Sequence, residues 1–160
     1  MTHAPVIHHY GLFMVAWSVL ESVVQAGIMK ELKLSPIQCQ VLITSMMFRQ
    51  RVAVLSSLLR LRMEPPNEAI SMLSKLENGA RRNALVHGQI IVGVPGQLTF
   101  VKCTVSDDAG YKARKIAFTA AELEKHIQQV TEKTNRLQAL LGITDQDAQQ
   151  LADAALHAAT

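Results

Sequence analysis

The stretch HHYGLFMVAWSVLESVVQAGIMKEL, residues 8–32, decides the fold class, because its apolar side chains recur on the helical period along more than one line. Leu12, Val15, Val19 and Val23 fall on one line, and Phe13, Ala16, Leu20 and Val24 on another. This spacing predicts a first helix over about residues 8–32. A helix that is apolar on nearly all sides is covered by neighbouring elements or by a partner subunit. The apolar run inside it, residues 10–20, is too short to span a bilayer and stops at Glu21. It also lacks the basic start and small-residue cleavage site of a signal peptide. The expectation is a cytoplasmic protein that does not engage a membrane.

Outward from that helix the helical pattern continues. Ser35-Pro36 reads as N-cap and first helical position, and Ile37, Val41, Phe48, Val52, Leu55 and Leu59 follow at intervals of three, four and seven. One long second helix ending near Arg62 is therefore expected. Pro65 and Pro66 break the chain, and Ala69, Met72, Leu73 and Leu76 mark a short third helix that stops at Asn78-Gly79. The pattern then changes at Ile90-Ile91-Val92. Residues 98–105 and 111–118, rich in Val, Thr and aromatics, flank Ser106-Asp107-Asp108-Ala109-Gly110 and read as a β-hairpin. Gly93-Val94-Pro95-Gly96 carries no phosphate-loop Lys and reads as a turn.

Thr119 with Glu122 three residues on is a capping box, and Leu123, Ile127, Val130, Leu137 and Leu140 make a stripe for a long helix ending near Gly142. Thr144 can cap a last helix. Its apolar residues, Leu151, Ala155 and Leu156, are few and small, which fits weak docking or fraying. The fold class is therefore mainly α, one domain over residues 1–160. It comprises a helical part over residues 8–88, a β-hairpin over about 90–118 and C-terminal helices over 119–158.

A chain of 160 residues is long enough to bury about two thirds of the surface its unfolded form would expose. With 49% apolar and only 18% charged residues and two cysteines, it is neither a disordered chain nor a disulfide framework. Cys39 and Cys103 are read as reduced and structural. The formal net charge is only +3, yet Arg49, Arg51, Arg60, Arg62, Arg81 and Arg82 all lie mid-chain while the last forty residues are net acidic. That asymmetry allows a basic face for an anionic polymer. Trp17 and Met46-Met47 read as core or dimer-interface residues. His8 and His9 are adjacent and cannot share a helix face as a ligand pair would, so no metal site is expected there.

The candidate chemistry lies in Arg81-Arg82-Asn83-Ala84-Leu85-Val86-His87-Gly88, which sets a permanent cation, a carboxamide and an imidazole within six residues. An Arg-Asn pair followed four residues later by His arises by chance in fewer than about one chain in a hundred of this length. If a helix starts near Ala80 or Arg81, its unpaired N–H groups sit beside Arg81 and Arg82, a favourable place for a phosphate. Asn83 and His87 are four apart and share one helix face, so Asn83 can select the tautomer of His87. Arg82 lies about 140° around an ideal helix from His87. The two converge when the Arg sits in an irregular first turn or reaches around.

Arg82, Asn83 and His87 match the R-N-x-x-x-H form of the Arg-x4-6-His signature of HEPN domains, and the chain resembles that family of small helical proteins. The long first helix with a mid-helix acidic residue, Glu21 in Trp17-Ser18-Val19-Leu20-Glu21, the long second helix and the motif near the start of a later helix are similar to the HEPN layout. The resemblance implies a HEPN-like bundle that dimerises and a metal-independent endoribonuclease or toxin-like effector without a cofactor. It implies RNA or nucleotide, a second copy of the chain and an antitoxin protein as partners. It carries over Arg82, Asn83 and His87 as catalytic, Arg81 and Arg82 as substrate-binding, and Glu21 as the acidic residue that orients Arg82 or His87. The hairpin after Gly88 departs from the minimal four-helix bundle and leaves the place of the fourth helix open. Two other readings stand beside it: a non-catalytic module that binds nucleotide or RNA through Arg82, and a structural protein whose helices simply dimerise. In the plainest reading of the motif, Asn83 caps a helix, Arg82 is solvated and His87 fills a polar gap.

Overall fold

Local chemistry accounts for most element ends in the computed structural model, which describes residues 3–77, 85–91, 94–106 and 110–157. In chain order the elements are α1 (Ala4–Leu32), α2 (Pro36–Ile43), α3 (Phe48–Arg60), α4 (Asn67–Glu77), β1 (Gln89–Ile91), β2 (Gln97–Ser106), β3 (Gly110–Thr119), α5 (Ala120–Leu141) and α6 (Asp145–His157). A short helical segment, residues 85–87, precedes β1. The fold is mainly helical with a small antiparallel sheet in the order β1-β2-β3. The expected hairpin is present as β2–β3, and Ile90-Ile91 adds a third strand beside it.

Three helix starts follow one chemical rule, a side-chain oxygen meeting a backbone N–H that the first turn leaves unpaired. Ser35 Oγ accepts from Gln38 N–H at 3.3 Å while the Gln38 side chain accepts from Ser35 N–H at 2.9 Å. Thr119 and Glu122 make the same reciprocal pair, and so do Thr144 and Asp147. Gly142 sits at φ +61 just past α5, a left-handed end that a side chain would strain.

The single long second helix is not found, because the chain breaks between α2 and α3. Thr44 Oγ1 donates to Gln40 O at 2.6 Å, Met46 N–H closes a tight turn onto Ile43 O, and Met47 swings to an extended ψ of 154. The Gln50 side chain then accepts from Met47 N–H at 2.7 Å and Arg51 Nε donates to Met46 O at 3.0 Å. Backbone groups released by the break thus have partners, which keeps its cost low. As a consequence Phe48 is buried while Ile37 and Val41, assigned to the same stripe, are exposed.

Contacts divide the chain into two compact units, and α1 and α5 each contribute to both. In the first unit, residues 1–16 and 79–129, the sheet packs on helix through Val6, Phe13, Leu85, Leu98, Phe100, Phe118 and Leu123, all buried. Tyr10, Phe100, Phe118 and His126 form a chain of ring contacts with centroids 5.4–5.7 Å apart. In the second unit, residues 17–78 and 130–160, the core is built from Trp17, Leu20, Val24, Ile28, Ile43, Phe48, Leu55, Leu59, Leu73 and Leu137. Gly27 permits a close helix approach, since a methyl there would lie 2.9 Å from a Leu55 methyl and 3.3 Å from one of Leu141. Thr134 is buried in the α5 stripe because its hydroxyl donates to Val130 O at 2.8 Å.

Two further expectations change. Helix α6 docks on α2 through buried Leu151 and Ala154, with Gln40 Nε2 donating to Leu151 O, whereas Ala155 and Leu156 face solvent. Helix α1, 29 residues long, is by length and composition sufficient to cross a bilayer, unlike the shorter apolar run inside it. Half of its most apolar window is buried within the fold. Its buried line is Phe13, Leu20 and Val24, while Leu12, Val15 and Val19 of the other line are exposed and Val23 is buried.

Candidate functional site

Of the motif residues, His87 is the one whose surroundings are described; Arg81, Arg82 and Asn83, and the expected helix start near Ala80, lie outside the described residues. The backbone that carries His87 is held from two sides. Leu85, two residues before it, is buried, and its carbonyl accepts a hydrogen bond from the Tyr10 hydroxyl at 3.0 Å. Burial raises the pKa of that hydroxyl, so it stays a protonated donor at neutral pH. Two residues after His87, Gln89 enters β1 opposite Val101 of β2. His87 itself is exposed, and among the described residues no hydrogen bond ties it down. An imidazole so placed is open to solvent and to a bound molecule.

Glu21 belongs to the second unit and His87 to the first. On α1 the half-buried Glu21 accepts a hydrogen bond from Trp17 Nε1 at 2.8 Å. Trp17 is buried and meets Phe48 edge-on at 5.0 Å, so its indole N–H needs an acceptor inside the fold. Glu21 therefore has a packing role that the resemblance does not call for.

Two of the mid-chain arginines, Arg51 and Arg62, are committed to the fold. Arg62 Nε donates to Glu31 Oε2 at 3.0 Å and a second guanidinium N–H reaches Glu31 Oε1, while Arg51 caps the Met46 carbonyl. Arg49 and Arg60 are exposed. Met47 is exposed, Met46 half-buried, and of the two cysteines Cys39 is buried and Cys103 exposed, neither of them in a disulfide. His9 Nδ1 lies 2.8 Å from Pro5 O. Among the described residues no three His, Cys, Asp or Glu side chains cluster as metal ligands would.

Sequence reasoning missed the Tyr10 clamp on Leu85, because the two residues lie 75 positions apart and no local pattern joins them. It also passed over the basic residues of the hairpin, whose alternation with apolar ones gains meaning only once the strand register is known. No protein-family model, curated protein or solved structure matches the chain.

Proposed function

We propose that the chain is a HEPN-like homodimer that acts in the cytoplasm as a metal-independent endoribonuclease or toxin-like effector. The observation that carries this reading is His87: an exposed imidazole on a backbone held by the Tyr10–Leu85 bond and by β1, five residues after Arg82. RNA contains its own nucleophile, the 2′-hydroxyl, so cleavage needs a base, an acid and a cation but no further reagent. One imidazole takes the proton from the 2′-hydroxyl as its oxygen bonds to phosphorus. A second, protonated imidazole gives a proton to the 5′-oxygen as the P–O5′ bond breaks, leaving a 2′,3′-cyclic phosphate and a 5′-hydroxyl. Arg82 supplies two fork-shaped donors to the phosphoryl oxygens, Arg81 adds charge for the incoming strand, and Asn83 sets the His87 tautomer.

The second imidazole comes from a second copy of the chain. Leu12, Val15 and Val19 leave an exposed apolar line along α1 that suits a two-fold contact. An antitoxin protein is the partner expected of a toxin-like effector. The Trp17–Glu21 bond gives Glu21 a packing role, which is also compatible with a second reading in which the protein binds RNA or nucleotide through Arg82 without cutting it.

The test is cleavage of single-stranded or loop RNA in excess chelator, with the product ends identified. The proposal expects cyclic phosphate ends, and loss of cleavage in His87→Ala and in Arg82→Ala with the helical circular dichroism unchanged. Binding lost in Arg82→Ala but kept in His87→Ala, without cleavage by the parent, establishes the binding-only reading. Cleavage abolished by chelator, or unaffected in His87→Ala, refutes the mechanism. Light scattering that reports a monomer at micromolar concentration removes the shared site.

A further inference from the structure

The hairpin changes character halfway along its length. Residues paired directly across antiparallel strands share a face, and the face repeats every second residue. On one face Leu98 pairs with Phe118 and Phe100 with Ile116, and Leu98, Phe100 and Phe118 are buried. The next two pairs on that same face are Lys102 with Arg114 and Thr104 with Lys112. Lys102, Lys112 and Arg114 are exposed, as is Lys115 on the opposite face. The three strands carry these four basic residues and no acidic one; Asp107 and Asp108 fall in the connecting turn, outside the described residues.

Setting Lys102 directly opposite Arg114 brings like charges to about 5 Å between Cβ atoms and destabilises the pair, where an opposite-charge or Thr pair would stabilise it. An anion placed between them reverses that sign. Lys112 continues the row one two-residue step, about 7 Å, further out, so the cations form a line rather than a point. Such a line matches a chain of phosphates. By register, the positions beyond Phe100 and Ile116 on this face are Lys102, Thr104 and Ser106 of β2 and Arg114, Lys112 and Gly110 of β3, so the face carries no large apolar residue of the kind that an acidic peptide groove or a membrane contact would use as an anchor. Register also places the row near His87. β1 begins at Gln89 opposite Val101, one residue short of Lys102, and His87 precedes Gln89 by two residues.

From this we infer that the Lys102–Arg114 face of the hairpin binds the phosphate backbone of single-stranded RNA and leads the strand toward His87. The choice of RNA rests on the ribonuclease reading above; the cationic row does not. Its rival is a solvated charge set that merely guards the exposed strand edges against pairing with other chains.

The experiment measures anisotropy of an end-labelled single-stranded RNA across a salt series, in chelator and on the His87→Ala background so that the probe stays intact. Each phosphate contact on a single strand contributes about 0.7 to the slope of log affinity against log salt. Lys102→Gln with Arg114→Gln should therefore flatten the slope by about 1.4 and weaken binding about 25-fold at 0.1 M salt. The same double variant should melt no lower than its parent, since it removes a like-charge pair, which separates lost binding from lost folding. Lys125→Gln with Lys133→Gln, exposed on α5, should bind as the parent does. An unchanged slope and affinity in the hairpin variant establishes the edge-guard reading and overturns the inference, as does preference for an acidic peptide or anionic vesicles over RNA. Hairpin-dependent binding without cleavage by the protein that retains His87 refutes the ribonuclease reading alone. Cleavage at the parent kcat/KM in the hairpin variant refutes this one alone.

Discussion

Replacing Glu21 tests what its carboxylate does, and the chain's single tryptophan supplies the reporter. Trp17 is 4% exposed, its Nε1 donates to Glu21 Oε1 at 2.8 Å, and its ring rests edge-on against Phe48. Glu21→Ala removes the acceptor while the indole remains buried, and a buried donor left without a partner costs about 1–3 kcal/mol. Glu21 is half-buried, so water can reach part of the gap and the lower part of that range applies, about 1–2 kcal/mol. For a chain of this size that corresponds to a fall in melting temperature of roughly 2–8 °C. Glu21→Gln keeps an oxygen at the same reach and should cost under about 1 kcal/mol, the difference between a charged and a neutral acceptor. Thermal melting and tryptophan emission read both effects, with Glu21→Ala shifting the emission maximum as the indole environment loosens and Glu21→Gln leaving it in place. Because Oε1 is engaged by Trp17, Glu21→Gln should also cut RNA at the parent's rate. Equal melting and emission in Glu21→Ala and the parent would refute the packing argument; a Glu21→Gln protein that folds normally but no longer cuts would return Glu21 to the chemistry.

Two glycines of α1 should respond to alanine with opposite signs. Gly27→Ala forces a methyl to 2.9 Å from Leu55, an overpacking cost of about 1–3 kcal/mol against about 1 kcal/mol of helix propensity gained, whereas Gly11→Ala meets nothing within 4 Å and keeps only the gain; urea unfolding of dilute protein should show the first at or below the parent and the second above it. Tyr10→Phe strips the donor from the Leu85 carbonyl, so hydrogen exchange of residues 85–91 should quicken relative to the rest of the sheet, and uniform protection would show that the clamp is idle. Asp147 has its pKa lowered first by the Thr144 backbone N–H, then by the Thr144 hydroxyl and nearby Lys30. A carboxylate lowered in the folded state contributes stability that is present above its unfolded value, about pH 4, and is lost as pH falls through the lower folded value. Amide signals of α6 should therefore loosen selectively in that acid window, weakly because Asp147 is mostly solvated, and Thr144→Ala, which removes the hydroxyl but keeps the backbone N–H, should shrink the dependence without abolishing it.

What could be read from sequence was what is decided within four residues. The caps at Ser35, Thr119 and Thr144, the left-handed end at Gly142 and the two long strands of the hairpin are local chemistry, and each is found where the residues place it. The break before Phe48 was hidden because Val41 and Phe48 are seven apart, a spacing that a straight helix and an interrupted one satisfy alike. Its signals were polar and weak: Thr44-Ser45, then Gln50 three residues after Met47. The exposed side of α1 could not be chosen either, since a helix apolar all round contains no phase information, and Leu12, Val15 and Val19 differ from Phe13, Leu20 and Val24 only in what surrounds them. The same distinction runs through the candidate site. The residue types at Arg82, Asn83 and His87 suggested chemistry, but the anchoring of the backbone around His87 depends on Tyr10, 75 residues from Leu85, and on the β1–β2 pairing that sets Gln89 opposite Val101, while the cationic row depends on the β2–β3 pairing that sets Lys102 opposite Arg114. A motif names groups able to react; long-range contacts decide whether those groups meet a substrate, which is why the hairpin and the Tyr10 clamp, rather than further motif residues, are the informative places to perturb.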